Sequence, residues 1–122
     1  MSEKSILVID DETEITEIFK EILAGVGYDV TTACSGEEAL EILSKRQFKV
    51  ILSDLKMPGM TGDELCWNIR KKDKSTVIIA VTGYHKDFSK EHFLEIGFND
   101  YLFKPVLLSD LVKTVKKAFD SD

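Results

Sequence analysis

The sequence predicts an α/β protein built on a doubly wound, five-stranded parallel sheet in the order 2-1-3-4-5. Three observations carry this. Five short apolar runs of strand length alternate with five stretches whose apolar residues recur every three or four positions. Strands separated by helical stretches cannot pair as hairpins, so they pair in parallel with helices on both faces. The first and fourth runs are apolar throughout, as strands covered on both sides must be. Right-handed crossovers leave few topologies, and 2-1-3-4-5 is the expected one for five units.

Taken in order, Ser5-Ile6-Leu7-Val8-Ile9 is the first strand and ends in Asp10-Asp11-Glu12. Thr13 is placed to cap the first helix, whose Ile15, Ile18, Phe19, Ile22, Leu23 and Val26 step around one face, closed by Gly25 and Gly27. Tyr28 to Thr32 alternates as the second strand. Ser35 caps the second helix with Glu38 at the capping-box position, and Ala39, Leu40 and Leu43 turn inward. The central strand is the run Val50 to Leu52, which delivers Asp54 to its carboxyl end before a loop punctuated by Pro58, Gly59 and Gly62. A third helix runs from Gly62 to about Lys72, burying Leu65, Cys66 and Ile69. Asp63 and Glu64 open it, and Arg70, Lys71 and Lys72 form a solvated basic end that suits the helix dipole. Thr76 to Val81 is the fourth strand, ending at Thr82-Gly83. A weaker helix spans Asp87 to Ile96 and stops at Gly97. Asn99 to Phe103 is the fifth strand, ending at Lys104-Pro105, and Leu108, Leu111, Val112, Val115 and Phe119 mark the last helix.

Composition narrows the function. At 122 residues the chain is one domain's worth. Its net charge of −6 argues against direct nucleic-acid binding, which depends on attraction to phosphates. No apolar run approaches the roughly 18 residues of a membrane span, and Met1-Ser2-Glu3-Lys4 leads straight into a strand, so no membrane and a cytoplasmic location are expected. Cys34 and Cys66 lack a CxxC companion and are expected as buried thiols, with His85 and His92 on the surface.

In such a sheet, ligands bind outside the carboxyl ends of the strands where the strand order reverses, between the first and third. That crevice gathers Asp10, Asp11 and Asp54. Three carboxylates forced together repel one another unless a cation sits among them. Mg2+ suits an all-oxygen set, and the absence of nearby His or Cys argues against zinc. Lys104 is a second cation. With both neutralising charge and Thr82 offering a hydroxyl, Asp54 is placed to attack a phosphoryl group and hold it as an aspartyl phosphate.

The set Asp10-Asp11, Asp54, Thr82 and Lys104-Pro105, in this order on this alternation, resembles the receiver domain of two-component response regulators, and the resemblance covers essentially residues 1–122 as a single receiver domain. It implies a flavodoxin-like three-layer sandwich. It also implies that Asp54 is the phosphoacceptor, that Asp10 and Asp11 bind Mg2+, and that Lys56 adds its backbone carbonyl. Thr82 would be the switching hydroxyl, Lys104 the phosphate-pairing lysine, Tyr101 the aromatic switch, and Pro105 would follow a cis peptide. The implied partners are a histidine kinase or histidine phosphotransfer protein upstream and a downstream protein or missing output domain. The domain would be mainly a signalling switch that catalyses its own phosphorylation and dephosphorylation.

Lys56 and Tyr84 occupy positions that in this family tune hydrolysis of the phosphoryl group. A bulky Tyr84 and a second cation at Lys56 point to slow self-dephosphorylation. Thr114 stands where receivers joined to winged-helix domains often carry a dimerising arginine, which counts against that symmetric dimer and leaves a weak homodimer open. The chain stops at Asp122, so either a stand-alone receiver or a piece of a larger regulator or hybrid kinase is expected. Two rival functions remain. A phosphohydrolase of haloacid dehalogenase type wants an Asp two residues after the nucleophile, where this chain has Lys56. A flavodoxin-like flavin carrier wants a Ser/Thr/Gly-rich phosphate loop where it has Asp10-Asp11-Glu12.

Overall fold

The computed structural model describes residues 4–83 and 89–120. Strands β1 (Ser5–Ile9), β2 (Asp29–Ala33), β3 (Val50–Asp54), β4 (Val77–Thr82) and β5 (Asp100–Phe103) alternate with helices α1 (Thr13–Gly25), α2 (Gly36–Leu43), α3 (Gly62–Arg70), α4 (Lys90–Ile96) and α5 (Leu108–Asp120). The sheet is parallel in the order β2-β1-β3-β4-β5, as the alternation predicts.

Because side chains alternate along a strand, each run feeds two separate cores. Leu7, Ile9, Ile51, Ile78 and Ala80 face α2, α3 and α4, meeting Ala39, Leu65, Cys66, Ile69 and Phe93. Ile6, Val8, Val50, Leu52, Ile79 and Val81 face α1 and α5, meeting Phe19, Leu23, Leu111 and Val115. The result is a three-layer sandwich. Among the described residues no helix is long and apolar enough to cross a membrane.

Several local expectations shift. Thr13 is the first residue of α1, and Glu12 takes the cap position without a side-chain bond; its own N–H donates to Asp10 Oδ1. Ile18 and Val26 are 49% and 51% exposed, since Thr16, Phe19 and Leu23 form the buried stripe and Val26 lies just past the last turn. β2 begins one residue later than expected. Glu38 reaches past the cap residue to the Cys34 N–H, and Cys34 is exposed where a buried thiol was expected. α3 carries a full capping box, Thr61 with Glu64, a cap beyond those expected although its Thr-x-x-Glu spacing stands in the sequence. Arg70 is not solvated; its guanidinium is tied to the carbonyls of Gly97 and Asp73 and to Asn99, and burial lowers its pKa. His85 and Asp87 lie outside the described residues.

Candidate functional site

The carboxyl ends of β1 and β3 are neighbours in the sheet, so Asp10, which follows β1, and Asp54, which ends β3, emerge side by side. Asp10 is 3% exposed and Asp54 is 7% exposed, both unusually buried for carboxylates, whereas Asp11 is exposed at the rim. One carboxylate oxygen from each of Asp10, Asp11 and Asp54 lies within 4.8 Å of the others. Lys104, just beyond β5, reaches into the same pocket: its Nζ stands 3.1 Å from Asp54 Oδ1 and 3.5 Å from Asp10 Oδ2. Asp54 Oδ1 also accepts the Leu55 N–H at 3.0 Å.

The electrostatics show an incompletely balanced site. Burial raises the pKa of Asp10; the Glu12 N–H opposes this, but the neighbouring Asp54 charge raises it further, ahead of the opposing pull of Lys104. For Lys104, burial alone would lower the pKa, and the hydrogen bond and charge of Asp54, with the help of Asp10, outweigh it and hold the ammonium more firmly protonated than usual. Three carboxylates against one ammonium leave two negative charges, the charge of one divalent cation. The donor set is all oxygen and partly buried, which fits Mg2+ and does not suit zinc.

Gly62 makes the approach of α3 to this site feasible. Its N–H donates to the Leu55 carbonyl at 2.9 Å, and a Cβ there would overlap the Asp54 carbonyl oxygen and lie 2.8 Å from Leu55 Cα. The sequence marks Gly62 as loop punctuation and as the start of the third helix; this close approach spans the loop and has no local signature.

The remaining expected residues distribute as follows. Thr82 is buried at the end of β4, and its carbonyl accepts the Lys104 N–H at 2.8 Å, so the hydroxyl-bearing and ammonium-bearing residues are joined through the backbone. Tyr101 is half-buried on β5, with its ring centroid 5.1 Å from that of Phe103. The Lys104–Pro105 peptide is cis. Lys56 is exposed in the loop after β3. Tyr84 lies outside the described residues. Nothing in this geometry favours the dehalogenase-type hydrolase or the flavin carrier.

Known proteins resemble the chain in both fold and sequence. The chain is 35% identical over 127 aligned positions to an uncharacterised 14.6 kDa protein of Leptolyngbya boryana, covering 100% of this chain and 97% of that one. It is 39% identical over 100 residues to a protein of Cyanidium caldarium described as a probable transcriptional regulator, ycf27; that match takes in 82% of this chain and only 40% of the relative. Among solved structures, a CheY-like receiver domain protein of Methanospirillum hungatei superposes with a TM-score of 0.91 at 35% identity, covering 98% of this chain and 95% of that one. The response regulator TrrA of Thermotoga maritima, solved in complex with Mg2+ and BeF, gives 0.85 at 37% identity, covering 94% of this chain and 98% of that one. The family model for the response regulator receiver domain matches residues 6–116, nearly the whole sheet, α1 to α4 and most of α5, and the chain belongs to that family.

Proposed function

We propose that this domain takes a phosphoryl group onto Asp54 from a histidine kinase or histidine phosphotransfer protein in a Mg2+-dependent reaction, with residues 1–122 acting as one receiver unit. The observation that carries this reading is the Lys104 ammonium 3.1 Å from an Asp54 carboxylate oxygen, inside the pocket shared with Asp10 and Asp11. An Asp54 oxygen attacks phosphorus; the O–P bond forms as the donor's N–P bond breaks, and the imidazole nitrogen leaves with the electron pair. Lys104 is the cation at hand for the transferred oxygens. Asp10, Asp11, Asp54 and the Lys56 backbone carbonyl would hold Mg2+, which when bound supplies positive charge for the phosphoryl oxygens. The Mg2+ and BeF complex of the Thermotoga maritima relative supports the same assignment.

The phosphoryl group adds about −1.5 to −2 charge and new acceptor oxygens. It draws the Thr82 hydroxyl and the Lys104 ammonium toward Asp54, and Tyr101 turns into the space Thr82 leaves. That biases the surface formed by α4, β5 and α5 toward a downstream protein or output domain.

Intact-mass measurement after incubation with acetyl phosphate tests this. The parent is expected to gain one phosphoryl group with Mg2+ and none with EDTA, and Asp54→Ala is expected to gain none. Labelling of Asp54→Ala, or labelling indifferent to EDTA, overturns the assignment. Transfer from a phosphorylated histidine phosphotransfer protein, followed the same way, tests the donor.

A further inference from the structure

A cavity of about 270 Å3 opens between the C-terminal ends of α2 and α3. Helices in this fold run back against the strands, so it lies at the opposite end of the sheet from Asp54 and plays no part in the chemistry above. Its floor is Leu40, Leu43 and Ile69, and its rim carries Arg46, Lys71 and Lys72 against one acid, Asp73. In a chain of net charge −6, that is a local reversal of sign.

The rim groups differ in how far they are already engaged. Arg46 is pinned: its guanidinium lies 4.3 Å over the Phe48 ring, with Nη2 3.8 Å from Asp29 Oδ2 and Nη1 3.4 Å from Thr31 Oγ1. Asp73 is occupied by Ser75 and Thr76, which donate to its Oδ1. Lys71 and Lys72 are exposed and have no salt-bridge partner among the described residues.

From this arrangement we infer a binding site for an amphipathic monocarboxylate, an aliphatic or aromatic acid whose body lies on Leu40, Leu43 and Ile69 and whose carboxylate meets Lys71 and Lys72. The apolar floor gives a bare phosphate or a nucleic-acid backbone nothing to use, and the cations give a neutral hydrocarbon nothing to use. Size agrees: an apolar cavity of about 150 Å3 takes benzene, so this one has room for a body of roughly eight carbons. Arg46, held over Phe48 and paired with Asp29, closes one side as a fixed wall, and the two lysines supply the charges that meet the ligand.

The test is a 15N NMR titration with octanoate and with its neutral counterpart octanamide, on the parent, on the double variant Lys71→Glu/Lys72→Glu and on Asp54→Ala. Octanoate is expected to give saturable shifts at the amides of Leu43, Ser44, Ile69 and Lys71. Its dissociation constant is expected to rise roughly fivefold or more in the double variant, whose altered residues are solvent-exposed. Octanamide should bind the parent more weakly than octanoate does, and Asp54→Ala should bind octanoate as the parent does. Absence of saturable shifts, or shifts centred elsewhere, overturns the site. Equal affinity of octanoate for parent and double variant, or of octanoate and octanamide for the parent, overturns the carboxylate assignment. A changed octanoate affinity in Asp54→Ala, in either direction, would tie the probe to the acidic end of the sheet and likewise overturn it.

Discussion

Arg70 Nη2 donates to Asn99 Oδ1 at 2.7 Å, and the same oxygen accepts the backbone N–H of Ile78 at 2.8 Å. Arg70 Nε also donates to the Gly97 carbonyl at 2.9 Å. One guanidinium therefore joins the end of α3, the start of β4 and the turn between α4 and β5. Asn99→Ala removes an acceptor from two donors at once and is expected to cost about 1–3 kcal/mol, seen as a lower urea midpoint at an unchanged m-value. Asn99→Asp keeps the oxygen and should lose less than half as much. Equal losses in the two variants would remove the hydrogen-bond explanation.

The unbalanced charge at the acidic end predicts a metal-dependent stability. Asp11 adds to the repulsion on Asp10 and is exposed, so Asp11→Asn relieves like-charge contact without breaking an observed ion pair. In EDTA the variant should melt higher than the parent by roughly 1–4 °C, the scale of a surface charge effect in a domain of this size. Millimolar Mg2+ should then raise the parent's Tm more than the variant's, because binding to the folded state stabilises by mass action. Equal Mg2+ responses would take Asp11 out of the metal's ligand set.

Gly62→Ala is expected to be costly out of proportion to one methyl group. The added carbon meets backbone on β3 and in the following loop, neither of which can swing aside as a side chain would. A destabilisation of about 1–3 kcal/mol is expected, together with slower labelling by acetyl phosphate, because the Asp54 backbone must shift. Labelling at the parental rate in a destabilised variant would separate α3 docking from the geometry at Asp54.

Asp73 gives a stability change with pH whose sign follows from its contacts. Partial burial would raise its pKa, but donation from the Ser75 N–H and hydroxyl and the Thr76 N–H, with the Arg70 charge, holds the carboxyl below the usual range. A depressed native pKa adds stability that is fully present above the unfolded value of about 3.9 and is lost as pH falls through the native value. Asp73→Asn keeps an acceptor oxygen without the charge, so it should be less stable than the parent at pH 7. The gap should close as the pH drops below about 4. A gap that is constant from pH 7 to pH 2.5 would count against this assignment.

The elements and their order are legible because the signals are local: apolar runs of strand length, a three-to-four-residue period and caps at fixed offsets. Asp10, Asp11, Asp54 and Lys104 are legible as a group only through topology, since each strand end is an ordinary place for a polar residue until the crossover rule brings them together. What escaped was contact without periodicity. Arg70 reads as the solvated end of a basic helix because its partners at Gly97 and Asn99 lie 27 and 29 residues away. Ile18 fits the apolar period yet faces solvent, because α1 covers only one side of the sheet and its buried stripe is narrower than the period allows.

Val50, Ile51 and Leu52 are buried on both sides of the sheet, so sliding β3 by one place would move each of them into the opposite core, which close packing resists. Polar contacts at the far end add to that hold: Thr76 Oγ1 donates to the Phe48 carbonyl at 2.7 Å and lies 3.2 Å from the Lys49 carbonyl, tying the start of β4 to the residues that lead into β3. A slip of one residue would carry Asp54 about 3.3 Å along its strand, as far as the whole 3.1 Å gap to Lys104. The acidic tip is thus aimed from its opposite pole, like a lever set by its fulcrum. Damage to those distant anchors should blunt its chemistry while leaving every acidic side chain intact.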